Sequence, residues 1–68
     1  MDAIKQMTEI NNITNLIAEN LGKLHGYGVI TVEDSFEIMK EISEKQYEWM
    51  KNNFSFNEIN TFVDRYMK

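Results

Sequence analysis

The sequence predicts an all-α protein, a three-helix fold in which a long antiparallel αα-hairpin is followed by a short C-terminal helix. Three observations lead to this prediction. Apolar residues recur every three or four positions along most of the chain, which is the spacing of one helix face. Glycine is confined to residues 22–28 and proline is absent. Patterns typical of helix starts occur at Thr31 and Ser55.

The first helix is predicted over residues 2–24. Winding this segment at about 3.6 residues per turn places a narrow aliphatic stripe on one side, with Met7 and Ala18 at its edge. The stripe consists of Ile10, Ile13, Ile17, Leu21 and Leu24. The glycine-containing stretch 25–28 should end the helix, because glycine reaches the left-handed conformation that terminates many helices.

The second helix is predicted over residues 32–52. Thr31 can accept a hydrogen bond from the amide of Asp34, whose carboxylate can bond back to the Thr31 amide. The apolar arc of this helix covers about half its circumference, so we expect it to contact two neighbours. Its centre consists of Val32, Phe36, Met39, Ile42 and Met50, with Ile38 and Trp49 on one flank and Tyr47 on the other.

The third helix is predicted over residues 56–67, after Asn52 and Asn53 interrupt the pattern. Ser55 and Glu58 have the spacing of a capping box, and the residues flanking it, Phe54 and Ile59, have that of a hydrophobic staple. The apolar arc comprises Phe56, Ile59, Phe62, Val63, Tyr66 and Met67. This short helix should close one end of the groove between the first two.

These patterns predict a buried core and leave one local alternative. The expected core is Ile10, Ile13, Ile17, Leu21, Phe36, Met39, Ile42, Met50, Ile59, Phe62 and Val63. The alternative is a strand over residues 27–32, which are rich in β-branched and aromatic residues. One strand has no partner within the chain, so we favour a loop unless two copies pair along this edge.

Length and composition restrict the class of protein. Residues 1–68 make a single helical domain, too small for a deep active-site cleft. The chain has no cysteine and no long uncharged apolar run, so we expect a soluble protein of the cytoplasm that does not enter a membrane. Eight Ile, eight Asn and six Lys against one Arg indicate an A/T-rich genome, in the style of bacterial and phage accessory proteins.

No residue pattern predicts a catalytic, cofactor-binding or metal-binding site. His25 is the only histidine, and zinc would require carboxylates that no spacing supplies. Ser55 is explained as a cap, and no base is placed beside Ser35 or Ser43. We therefore expect no enzyme activity, no cofactor and no small-molecule substrate.

Two groups of side chains are candidates for a protein interface. The acidic group lies on one side of the second helix and comprises Glu33, Glu37, Glu41, Glu44 and Glu48. It either keeps the helix hydrated, with lysines pairing one turn away, or binds a basic protein surface. The apolar group is Trp49, Ile38, Leu16 and Tyr47. Trp49 in particular is either a lid on the core or an interface anchor.

The leading functional prediction is a small acidic, non-enzymatic protein-interaction module. It would act as an accessory regulator or inhibitor of a larger bacterial or phage protein, and a homodimer would cover its spare apolar surface. A second prediction is a helix-turn-helix-like regulator that binds nucleic acid. The net charge of −4 disfavours it, and the third helix offers only Arg65 and Lys68 as basic residues. A third, weaker one is a DNA mimic that uses the glutamates.

Overall fold

The chain is all-α in a computed structural model that describes residues 2–66. Its three helices are α1 (Ala3–Gly26), α2 (Val32–Asn53) and α3 (Phe56–Tyr66). The predicted αα-hairpin and short third helix are thus confirmed. Residues 27–31 form a turn without any strand, so the loop prediction is correct. Met67, the predicted last residue of α3, and Lys68 lie outside the described residues.

A side-chain cap begins α1, and a glycine in the left-handed region ends it. The Ile4 amide donates to Asp2 Oδ1 over 3.2 Å, so Asp2 is the N-cap. At the other end Gly28 has a φ of 80°, its amide donates to the His25 carbonyl, and the Val29 amide donates to the Leu24 carbonyl. These two bonds form a Schellman motif. The helix passes the predicted end at residue 24 because only Gly28 takes the left-handed conformation.

Both predicted capping boxes are present. The Asp34 amide donates to Thr31 Oγ1 and the Thr31 amide donates to Asp34 Oδ2, each over 3.0 Å. In α3 the Glu58 amide donates to Ser55 Oγ over 3.2 Å, and the Ser55 amide donates to Glu58 Oε1 over 2.8 Å. Each box satisfies two amides that have no partner within the helix. The boxes therefore explain why both helices begin where the sequence predicts.

The core lies at the end of the hairpin that carries α3. One residue from each helix forms its centre, namely Met7, Met50 and Phe62, with Met7 fully buried. Half-buried residues packed against this cluster are Ala3, Ile4, Trp49, Phe54 and Ile59. Phe54 and Ile59, the predicted staple, thus pack on the same cluster. Towards the turn only Leu21 is buried among the large apolar residues of the described chain.

The predicted core is only partly correct. Leu21, Met50 and Phe62 are buried, whereas Ile10, Ile17, Met39, Ile42 and Ile59 are half-buried. Three predicted core residues are exposed instead, with accessible fractions of 49% for Ile13, 71% for Phe36 and 39% for Val63. The physical reason is the length of α3, which has 11 residues against 24 in α1 and 22 in α2. The expected second neighbour of α2 is therefore missing along most of the hairpin.

Candidate protein-interaction surfaces

The third helix covers one side of the hairpin only. A shallow groove beside it is lined by Asn11 of α1, by Ser43 and Tyr47 of α2, and by Phe62 and Val63 of α3. Because residues of all three helices line this groove, it marks the side of α1 and α2 that faces α3. Successive helical residues are about 100° apart, so residues two positions further along lie about 200° away. Ile13 and Trp49, which follow Asn11 and Tyr47 by two positions, therefore lie on the opposite side of the hairpin.

That opposite side is an apolar surface without a third helix over it, which we call the open face. Its members are Ile10, Ile13, Ile17 and Leu24 of α1 and Ile38, Ile42 and Trp49 of α2. Ile13, Leu24 and Ile38 are exposed, with accessible fractions of 49%, 40% and 37%, and the others are half-buried. All seven side chains are uncharged, and six are aliphatic. An apolar surface that spans two helices is typical of a protein-binding site.

Trp49 lies where the open face meets the core. Its ring meets the edge of Phe54 at a centroid distance of 5.2 Å and an interplanar angle of 83°. It is half-buried and packs against the Met7, Met50 and Phe62 cluster. Trp49 therefore holds the core together on one side and presents the rest of its ring at the margin of the open face.

The other predicted apolar candidates do not form one patch with Trp49. Ile38 shares its flank of α2, but the two residues are 11 positions apart, or about 16 Å along the helix. Tyr47 lies on the α3 side, where it is 57% exposed and Lys51 Nζ stands 5.5 Å from its ring centroid. Leu16 is also 57% exposed and lies outside the aliphatic stripe of α1. Ile38 therefore shares the open face with Trp49 at a distance, whereas Tyr47 and Leu16 belong to other surfaces.

The five glutamates lie on the outer side of α2, away from α1. Gln46 marks the inner side because it bonds to Thr14 of α1. Glu44 and Glu48, each two positions from Gln46, therefore point about 160–200° away from α1. Glu33, Glu37, Glu41, Glu44 and Glu48 are all exposed. The acidic stripe is consequently a continuous outer surface, distinct from the open face.

A further apolar surface lies at the turn end of the hairpin, although the sequence pattern assigns its residues to the apolar arc of α2 or to a loop and not to a surface. At the turn end of the hairpin Tyr27 is 86% exposed, Val29 66%, Val32 42% and Phe36 71%. A groove beside Phe36 is also lined by His25, Leu21 and Met39. The only available signal was the length of α3, which is too short to reach this end from the core.

Residues 2–66 contain neither a cluster of metal ligands nor a membrane-spanning helix. No group of three His, Asp or Glu side chains in this part of the chain is arranged to hold a metal ion. No helix within it combines the length and the apolar character needed to cross a membrane. No family model, curated protein or solved structure matches this chain significantly.

Proposed function

We propose that the chain is a non-enzymatic protein-interaction module, an accessory regulator or inhibitor that binds a larger bacterial or phage protein. The observation that supports this most directly is the amount of apolar surface that the fold leaves uncovered. Twelve large hydrophobic residues are exposed among the described residues, against four that are buried. Covering such surface with another protein gains hydrophobic free energy that the chain alone does not obtain.

The acidic stripe supports a partner whose docking surface is basic. It runs from Glu33 to Glu48, about 22 Å along α2. Exposed charges of one sign raise the rate of encounter with a surface of the opposite sign. In this proposal the stripe orients the approach and the neighbouring apolar side chains, Phe36 above all, contribute most of the affinity.

The charge density of the stripe favours a basic protein over mimicry of DNA. Duplex DNA carries about one charge per 1.7 Å, or about 13 over the length of the stripe. The stripe carries five carboxylates, and Lys40, Lys45 and Lys51 lie on the same helix.

The proposal also places the module in the cytoplasm. The chain has no cysteine, so its folding does not depend on an oxidising compartment.

Recovery of the partner from cells tests the proposal. Tagged protein would be purified from the source organism with and without nuclease, and the bound proteins quantified. We expect one stoichiometric companion protein whose binding resists nuclease and is lost in the Phe36→Ala variant. Phe56→Ala is the matched control, because the Phe56 side chain is also exposed, at 77%, but lies on α3. Companions that disappear with nuclease would indicate the nucleic-acid-binding alternative, and no stoichiometric companion would contradict the proposal.

A further inference from the structure

The open face is an apolar surface of two helices on which no element of residues 2–66 packs as a third helix. α3 packs on the other side of the hairpin, beside Asn11 and Tyr47. The open face extends from Ile10 to Leu24 along α1, about 21 Å of helix. An amphipathic helix stabilises a fold by burying its apolar stripe, yet the outer half of this stripe remains accessible to water. The open face therefore has room for further helices.

The chain as a whole exposes more surface than a compact monomer of its mass, and the open face is one of the regions that contribute. The chain exposes 5250 Å². A folded monomer of 8.1 kDa is expected to expose about 4,500 Å², so the excess is about 750 Å². A stable protein interface of standard size buries about 800 Å² on each partner. The radius of gyration, 13.8 Å against about 11 Å for a compact domain of this length, is that of an elongated fold.

We infer that a second copy of this chain covers the open face, so that two hairpins form a four-helix bundle with the two α3 helices on its outside. The inference rests on the proposed role as an interaction module and assigns one face of it to self-association. A two-fold interface brings the same patch of both copies together, which requires a surface compatible with itself. The seven side chains that define the open face are compatible with one another because they are uncharged, and Lys45, which the helical spacing places between Ile42 and Trp49, lies at the margin with a side chain long enough to reach water.

The distribution of charge is compatible with this assembly. Each chain carries a net charge of −4, which would oppose contact between two copies if it lay at the interface. The acidic stripe instead lies on the outer side of α2, away from α1. Pairing through the open face therefore leaves both stripes in water, together with the turn-end residues Phe36 and Val29. The dimer thus presents two equivalent outer surfaces to a foreign partner.

The test compares the mass of three proteins over a dilution series, by sedimentation or light scattering. We expect wild type to have twice the mass of 8.1 kDa and to dissociate on dilution. Ile13→Glu places an unpaired charge in the interface and should weaken self-association at least about tenfold. Phe36→Glu, an equally drastic change outside the open face, should leave the dimer intact. Circular dichroism would establish that each variant is helical.

A cross-linking experiment keeps the inference testable if Ile13→Glu fails to fold. The chain has no cysteine, so a single cysteine can be placed at will. We expect a short bis-maleimide to link Ile13→Cys into covalent dimers and to leave Glu37→Cys, on the outer side of α2, as monomers. Equal linking of the two variants, or no linking of Ile13→Cys, would overturn the inference.

The outcomes separate this inference from the proposed function. Wild type of monomer mass at every concentration would show that no second copy covers the open face. If that monomer still captured a stoichiometric companion, the interaction module would stand and the dimer would fall. If the protein were a dimer but captured no companion, the dimer would stand and the interaction module would fall.

Discussion

Thr14 and Gln46 are joined across the hairpin by a hydrogen bond of 2.6 Å from Thr14 Oγ1 to Gln46 Oε1. The same hydroxyl lies 3.1 Å from the Ile10 carbonyl, one turn earlier in α1. Both side chains are half-buried in the seam between α1 and α2, where most neighbours are apolar. A polar pair in such a seam favours one alignment of the two helices, since sliding by a turn would leave both groups without a partner.

Thr14→Val should destabilise the protein by about 1 kcal/mol, because it leaves the Gln46 amide oxygen without its donor. The double variant Thr14→Val with Gln46→Leu should recover part of this loss, since both polar groups are then replaced. Urea unfolding measures both effects. Thr8→Val is the control, as the Thr8 hydroxyl bonds only to the Ile4 carbonyl of its own helix. Strictly additive effects of the two substitutions would show that the pair is not coupled.

Ser55→Ala should lower the stability by about 1 kcal/mol. The substitution removes the acceptor of the Glu58 amide at the start of α3, the helix that supplies Phe62 to the core. Glu58→Ala should cost less, because the bond from the Ser55 amide can be replaced by water at this exposed site. Thermal melting measures both variants. Melting of Ser55→Ala at the temperature of wild type would contradict a stabilising role for this box.

Phe62→Ala and Phe56→Ala should differ sharply although both remove a phenyl ring from α3. Phe62 is 1% exposed within the core cluster, and truncation of such a residue costs about 3–5 kcal/mol. A domain of this size has a total stability of only about 5 kcal/mol, so the variant should be largely unfolded. Phe56 is 77% exposed, and its truncation should change stability by less than about 0.5 kcal/mol. Far-UV circular dichroism, which measures helix content, distinguishes these outcomes.

Replacement of two of the glycines by alanine should change the stability in opposite directions. Gly28→Ala should destabilise the hairpin by about 1 kcal/mol, because Gly28 has a φ of 80° that alanine adopts at a cost. Gly22→Ala should stabilise it by about 0.5–1 kcal/mol, because Gly22 lies inside α1 and an added Cβ would meet no atom within 4 Å. Chemical denaturation of both variants tests the pair. A loss of stability in Gly22→Ala would mean that another chain packs against this position.

Reversal of charge at Glu37 and Glu41 should alter the kinetics of partner binding and leave folding unchanged. Both residues are exposed on the outer side of α2, so their replacement by lysine should leave the melting temperature near that of wild type. The association rate with the recovered partner should fall and lose its dependence on salt, with little change in dissociation. Surface plasmon resonance at several salt concentrations measures this. An unchanged association rate would show that the stripe only hydrates the helix.

The helices could be predicted from the sequence because each depends on local contacts. Thr31 and Ser55 bond to residues three positions away, and the spacing of the apolar residues repeats within a few turns. The predicted end of α1 is two residues too early, because the sequence offers three glycines that could end the helix and only Gly28 adopts the left-handed conformation. Local chemistry alone does not decide between such candidates.

Burial and the candidate surfaces were harder to predict because they depend on where α3 packs. The sequence pattern alone treats Ile13 and Leu21 alike, as members of one stripe, yet Leu21 is buried and Ile13 is 49% exposed. The same pattern places Met7 at the edge, although it is fully buried in the cluster with Met50 of α2 and Phe62 of α3. The sequence allows Trp49 to be either a core lid or an interface anchor, and its contacts show that it packs on the core cluster and on Phe54.

The position of the core at one end of the hairpin divides the molecule into two regions of different local stability. Met7 and Met50 are buried against α3, so we expect amides near them to open only when α3 detaches and to exchange at a rate close to that of global unfolding. Amides beyond Leu21, near the turn, have few buried side chains to hold them and should exchange by local fraying. A partner that covers the turn end would slow this fraying. Part of its binding free energy would then be spent on ordering that end of the hairpin.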